Sequence, residues 1–349
     1  MSTFSTRLLH WYRKNGRDLP WRKTTDPYTI WVSEILLQQT QVTTVIPYYH
    51  RFLDRFPTVH ALALASIDDV LKCWQGLGYY ARARHLSLAA KKVVCEHNGK
   101  VPSSFDDLVS LPGIGRSTAG AILNIAFGQR HPILDGNVKR VLSRYFCILG
   151  DLKEKNNLAT LWQHAEAILP PKNADLFTQA IMDLGATICV PKSPNCTACP
   201  VSRGCLAYQK GLAHKLPEKT AKKKVPHYDF IAAIIYSGKK VLIKKRPEKG
   251  LLGGLWEFPG GKFIGDGEIN ALVEKEIGQC VSLSPLDVKI QHAFTHFKMT
   301  LHLFSGAVKK RTVSDPALKW VSILELSDYA FSAAHQAIVV RLQDGAEYL

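Results

Sequence analysis

The chain has 349 residues, 46% of them hydrophobic, and 45 Lys and Arg against 29 Asp and Glu give a formal charge of +16. At roughly 100–200 residues per domain, that length implies two or three domains, and the apolar content suffices for sizeable cores. No run of about 18 apolar residues occurs, which excludes a membrane-spanning helix; the basic excess points to a polyanionic partner, nucleic acid before membrane surface.

The first segment, "MSTFSTRLLHWYRKNGR", lacks the apolar block of a secretory signal. A reducing, cytoplasmic setting is therefore expected (nucleoid-associated in a bacterium). Apolar periodicity near 3.6 residues predicts helices over Thr3–Lys14, Tyr28–Gln39, Gln41–Arg55, Ala81–His97 and Phe105–Ser110. It continues over Arg116–Phe127, Asn137–Phe146, Ala159–Ile168 and Ala174–Cys189, with breakers such as "FPT", "GKVP" and "LPPKN" between. Residues 211–227 are polar and basic and read as a linker. Beyond them "YDFIAAIIYSGKKVLIKKRP" predicts a hairpin around Ser237–Gly238. A short helix near Glu268–Ile277, strands near Val288–Phe294 and Met299–Val308, and a last helix over Ala333–Asp344 follow. The expected fold is multidomain: an all-α part over 1–210 and an α+β part over 228–349. Each part can bury its own core, so a monomer is expected.

Within "IWVSEILLQQTQV", Glu34 has Ile30, Trp31, Leu37 and Gln38 as its helical neighbours. Burying an unpaired carboxylate there is costly. By ordinary burial habits such a Glu is satisfied by a neighbour such as Arg22. Asp135, in "PILDGNVKRVL", stands where a helix starts; on its own it reads as a cap, kept ionised by the helix N-terminus.

Cys189, Cys196, Cys199 and Cys205 follow the pattern C-x6-C-x2-C-x5-C. Clustered thiolates without an export signal suit a metal or cluster better than disulfides. Zinc ribbons bring two C-x2-C knuckles and only one is present, which favours an iron–sulfur cluster over zinc. "LPGIGRSTAGAIL" is a turn feeding a helix. Gly113 and Gly115 allow the bend, and free amides at the helix start attract a phosphate.

These motifs together resemble the base-excision DNA glycosylase superfamily. "LPGIGRSTAGAI" is similar to its helix-hairpin-helix, and the cysteine pattern to the iron–sulfur loop of endonuclease III-type enzymes. "SEILLQQTQV", "QGLGYYARARHL" and "LDGNVKRVLSR" resemble the adenine-specific, MutY-type glycosylases, and the C-terminal part resembles that family's Nudix-like lesion-reading domain. The resemblance implies a helical catalytic domain, with a six-helix part over about 22–134 and a cluster-bearing part from 1–21 and 135–210. It implies a structural 4Fe-4S cluster on the four cysteines, and removal of adenine opposite 8-oxoguanine (or guanine) in duplex DNA.

The resemblance makes Glu34 and Asp135 catalytic. An apolar setting that raises its pKa would make Glu34 a general acid, and an ionised Asp135 would stabilise the cationic sugar. Trp21, Arg22, Gln179 and Ser117 fall in the base pocket. Ser117 occupies the position where lyase members of the family carry Lys; a serine forms no Schiff base, so an abasic product is expected. Gln38 and Tyr79, with Gly113 and Gly115, fall at the DNA, and Phe294, Thr295 and His296 at the lesion. The 82–85 cluster and Lys139–Arg140 offer cations for phosphates. "FPGGKFIGDGEINALVEKEIG" departs from the Nudix hydrolase pattern, so no Mg²⁺ requirement is expected. Competing readings are an endonuclease III-type glycosylase/lyase, a non-catalytic lesion binder and a nucleotide-pool hydrolase.

Overall fold

The computed structural model describes residues 3–218, 225–263, 269–311, 313 and 315–345. Part of the expected linker, residues 219–224, and Glu268 of the expected short helix lie outside the described residues. Among the described residues twelve α-helices precede the linker: α1 Phe4–Asn15, α2 Pro27–Leu37, α3 Val42–Arg55, α4 Val59–Leu64, α5 Ile67–Trp74, α6 Ala81–Glu96, α7 Phe105–Ser110, α8 Arg116–Phe127, α9 Gly136–Tyr145, α10 Lys155–Ile168, α11 Ala174–Asp183 and α12 Leu206–Gln209. The chain packs as two compact units, Met1–Leu64 with Leu88–Lys222 and Ala65–Ser87 with Lys223–Leu349.

The first unit is helical. Its core gathers Leu8 and Leu9 of α1, Ala121 of α8, Leu142 of α9, Leu161 of α10 and Phe177 and Ile181 of α11. Helix α2 starts on Asp26, whose side chain accepts from the Thr29 amide at 2.9 Å, with Pro27 at the first helical position. Six of its seven buried side chains are apolar or aromatic, the seventh being Ser33. Helix α11 ends six residues before the expected Cys189, because the chain continues as a π-helical turn over Leu184–Ile188. The turn brings Gly185 against α9: a Cβ there would stand 2.6 Å from that of Asn137. Only glycine permits that approach.

Helices α4 and α5 were not expected. They are six and eight residues long, too short to display a period. A local signal for α5 did exist. Ser66 and Asp69 form a capping pair, the Ser66 oxygen accepting from the Asp69 amide at 3.1 Å.

The second unit is built on strands β1 His227–Ser237, β2 Lys240–Lys245, β3 Trp256–Glu257, β4 Gly260–Lys262, β5 Leu283–Ala293, β6 Lys298–Ala307 and β7 Leu318–Ser322, with helices α13 Ile269–Ile277 and α14 Ala333–Gln343. The sheet runs β3-β2-β1-β6-β5, with β4 also paired to β1 and β7 to β2. Strand β1 runs parallel to β6, and the other pairings are antiparallel. Its run of apolar residues serves both faces. Ile231, Ala233 and Ile235 pack towards Val273 and Ile277 of α13, while Ala232 and Ile234 pack towards Ile338 and Val339 of α14. Segment 65–87 joins this unit through Lys245–Asp68 at 2.7 Å and Arg84 Nη1 donating to the Gly253 carbonyl at 2.7 Å.

Candidate active site

A cavity of about 190 Å³ opens in the helical unit. Trp21, Arg22, Glu34, Gln38, Ser117, Asp135 and Gln179 all line it. Seven residues predicted from separate stretches of sequence thus meet at one place. Trp21 and Arg22 come from a 3-10 turn over Pro20–Arg22, and Glu34 and Gln38 from α2 and its end. Ser117 comes from α8, Asp135 caps α9, and Gln179 sits in α11.

The Glu34 side chain faces the cavity from a helix whose other faces are apolar. Among the described residues its carboxyl has no hydrogen-bond partner. Burial, reinforced by the negative Asp135 and opposed by Arg22, pushes its pKa up to about 7. Arg22 does not pair with Glu34. It makes a bidentate pair with Asp183, both nitrogen–oxygen distances 2.7 Å.

Asp135 caps α9 as expected: its Oδ1 accepts from the Val138 amide at 2.7 Å. The helix start is one of several influences on its charge. Burial pushes the carboxyl above its ordinary value; the Val138 amide, Arg140 and Asn137 oppose that. The charge of Asp135 adds to the rise at Glu34, second to burial. Asn137 Nδ2 stands 3.4 Å from Asp135 Oδ2, and Asn137 Oδ1 accepts from Arg140 at 2.7 Å. Arg140 also donates to the carbonyls of Gly185, at 2.6 Å, and Cys189, at 2.7 Å.

Ser117 does not cap α8, which starts on Gly115. Its Oγ accepts from the Leu134 amide at 2.8 Å, tying the hairpin to the residue before Asp135. Gly113 turns the hairpin with a φ of 81°. Gly115 is extended, and a Cβ there would meet nothing, which leaves open space in front of the α8 N-terminus. Gln38 Nε2 donates to Thr118 Oγ1 at 3.3 Å. Two arginines expected at phosphates are used internally instead. Arg140 is engaged as above, and Arg82 is buried, its guanidinium 5.2 Å from the Trp74 ring and 5.6 Å from the Tyr79 ring.

The sequence reading missed four residues at this site: Tyr12, Arg17, Asn137 and Asp183. Tyr12 donates to Gln179 Oε1 at 2.7 Å. Arg17 and Asn137 line the cavity. Asp183 carried the same signal as Glu34, an acid within an apolar helical run.

The four cysteines line one small cavity with Arg144. All are free thiols. Among the described residues no three His, Cys, Asp or Glu side chains stand grouped to hold an ion. Arg144 is buried and wraps the loop: it donates to the carbonyls of Leu216 at 2.7 Å, Val190 at 2.8 Å and Pro191 at 3.1 Å, and to Cys189 Sγ at 3.3 Å. Burial raises the thiols of Cys196 and Cys205 and pushes Cys199 up to about 12.

Tyr79 and the 294–296 segment belong to the second unit. Phe294, Thr295 and His296 form the β5–β6 hairpin loop, closed by the Phe294 amide donating to the Phe297 carbonyl at 2.8 Å. The rings of Phe294 and Phe297 stack at 4.8 Å, leaving Thr295 and His296 exposed. Tyr79, held at a φ of 50°, sets its hydroxyl 3.2 Å from Thr295 Oγ1. A further cavity, about 330 Å³, lies in this unit, with Phe294, Phe297, Lys244, Arg246, Glu257 and Glu276 in its wall.

A family model described as HhH-GPD superfamily base excision DNA repair protein matches residues 32–166, and a NUDIX domain model matches residues 230–341. An adenine DNA glycosylase of Buchnera aphidicola subsp. Schizaphis graminum is 41% identical over 304 residues, covering 86% of this chain and 86% of that protein. An adenine DNA glycosylase of Rattus norvegicus is 35% identical over 399 residues, covering 97% of this chain and 77% of that protein. A solved thermostable thymine-DNA glycosylase is 32% identical with a TM-score of 0.55, covering 59% of this chain and 95% of that one.

Proposed function

The chain belongs to the adenine DNA glycosylase family, and from that premise we propose that it hydrolyses the N-glycosidic bond of adenine mispaired with 8-oxoguanine (or guanine) in duplex DNA, leaving an abasic site. The observation that carries this reading is the state of Glu34: a carboxyl on a cavity wall, without a hydrogen-bond partner among the described residues, its pKa raised to about 7. Such a group still holds its proton near neutral pH.

The target adenine leaves the base stack to reach the cavity. Glu34 gives its proton to N7. The bond from C1′ to N9 breaks, its electron pair leaving with the neutral base. Asp135, as a carboxylate, stabilises the positive sugar. Water adds hydroxide to C1′, and its proton returns to Glu34. Ser117 has no amine, so no Schiff base forms and the strand stays whole. Gln38 fills the vacated stack, and Tyr79, in the second unit, contacts the DNA. Gly113 and Gly115 hold a phosphate, and Phe294, Thr295 and His296 read the opposite lesion.

Cys189, Cys196, Cys199 and Cys205 would hold a 4Fe-4S cluster. The donors suit the group in kind: four free thiols share one lining, and burial penalises the anions of Cys196, Cys199 and Cys205 unless iron takes up the charge. Through those four residues a bound cluster would tie the loop to the helical unit. Cys199→Ala should lose iron and visible absorbance.

The test is a duplex carrying adenine opposite 8-oxoguanine, analysed with and without alkali. Scission only after alkali supports the proposal. Scission without alkali indicates a lyase, and intact strands in both arms indicate a binder.

A further inference from the structure

Asp183, the last residue of α11, has no exposed surface, and nothing in the chemistry above uses it. Both its oxygens are committed to two arginines. Oδ1 accepts from Arg22 Nη2 and from Arg17 Nε, each at 2.7 Å. Oδ2 accepts from Arg22 Nη1 at 2.7 Å and from the Arg17 amide at 3.0 Å. Arg22 Nη1 also donates to the Arg17 carbonyl at 2.9 Å, and its guanidinium carbon lies 5.5 Å from the centre of the Tyr12 ring. Burial by itself raises the Asp183 carboxyl, but the hydrogen bonds from Arg22 and Arg17 outweigh it and hold the group below the ordinary range. Asp183 is therefore a buried anion facing two cations.

Arg22 and Arg17 line the cavity beside Glu34; Asp183 does not. The charged groups in that wall are Arg17 and Arg22 from the segment before α2 and Asp135 from the start of α9, and α2 itself adds no charge besides Glu34. An arginine within reach of a carboxyl normally turns it into a carboxylate. A proton donor needs the reverse.

We propose that Asp183 is a positioning residue for base release: by clamping both terminal nitrogens of Arg22 it keeps that guanidinium turned from the Glu34 carboxyl and its charge offset, so that Glu34 remains an acid. Arg22 stays in the wall to meet the base, and its charge is held by the buried anion behind it. The inference rests on the reading of Glu34 as the proton donor. It places a specificity on Asp183 that packing alone would not: the anion, not merely the shape, is required.

The experiment is the pH profile of single-turnover adenine release, from a duplex with adenine opposite 8-oxoguanine, for the wild type, Asp183→Asn, Arg22→Gln and Glu34→Gln. In Asp183→Asn the freed guanidinium pairs with Glu34, and a carboxylate beside Arg moves down by about 1–3 pH units. The alkaline limb should shift down by that amount, with the rate at pH 7 falling roughly 5- to 500-fold and recovering at lower pH. A uniform loss at every pH with the limb unmoved overturns the proposal, since that is what a packing defect gives. Should Asp183→Asn fail to melt cooperatively, Arg22→Gln decides: its limb should move upward, and an unmoved limb overturns the clamp. Glu34→Gln separates the two levels. If it keeps the wild-type profile, the acid assignment itself has failed, whatever the Asp183 variant does.

Discussion

The cavity of Glu34 and the cavity of the sheet unit give their acids different partners. In the sheet unit, Glu276 meets Lys244 at 2.7 Å and accepts from the Gly260 amide, and Glu257 meets Arg246 at 2.5 Å. Burial raises Glu257 too, and Arg246 opposes that rise without cancelling it. In the helical unit the available arginines go to Asp183, and Glu34 is left with Asp135 as its neighbour. A carboxyl that meets a cation is tied into the wall it shapes. A carboxyl denied one is a proton store. The same residue type is structural in one cavity and reactive in the other because of where the arginines were spent.

The sharpest way to break this contrast is to remove the proton. Glu34→Gln should cut single-turnover adenine release by about 10²- to 10⁴-fold, the usual worth of a general acid, while DNA binding survives. Glu257→Gln should leave the rate within about twofold of wild type, because that acid carries no proton for the reaction. Equal losses in the two variants would erase the distinction between the cavities.

The pH dependence follows with the same sign. An acid catalyst works while protonated, so the rate should be level below the Glu34 pKa of about 7 and fall about tenfold per unit above it. A rate that rises through this range would mean that Glu34 acts as a carboxylate.

Stability gives a third handle. The Glu34 carboxyl binds its proton more tightly folded, at about 7, than unfolded, near 4.5. Between those values the unfolded chain binds fewer protons, so this group makes stability fall as pH rises, and the full penalty remains above about 7. Glu34→Gln should therefore stabilise the helical unit at alkaline pH, by up to about 3 kcal/mol, and by little near pH 4.5. Thermal melts at the two pH values check it. An inactive variant that is also the more stable one is the signature of strain kept for function.

How much of this was legible beforehand depended on whether a residue's partner was near in sequence. The Phe105–Ser110 and Arg116–Phe127 helices coincide with their observed spans, because capping and period are local. Glu34 stood out because its own helix neighbours are apolar. Asp183 stood in an equally apolar run and was passed over, because its meaning comes from Arg17 and Arg22, more than 160 residues away. Ser117 was assigned by what it lacks, and its bond to the Leu134 amide needed the folded backbone to appear. The fate of Arg140 was hidden for the same reason: a cation in a helix reads as surface until Gly185 and Cys189 are brought to it.

The smallest predicted effect concerns the exposed end of the second unit. Thr295 has one hydroxyl neighbour, Tyr79, at 3.2 Å, and both side chains are exposed. A single hydrogen bond of that kind contributes about 0.5–1.5 kcal/mol net. Thr295→Ala should therefore lower the preference for 8-oxoguanine over guanine opposite adenine by roughly 2- to 12-fold, leaving the rate opposite guanine unchanged. The comparison of the two opposite bases matters more than either rate. If the two fall together, Thr295 supports the fold of the loop and reads nothing. If only the 8-oxoguanine rate falls, the hydroxyl acts on the lesion, and the sheet unit takes part in choosing the substrate while all of the proton chemistry stays with the helices.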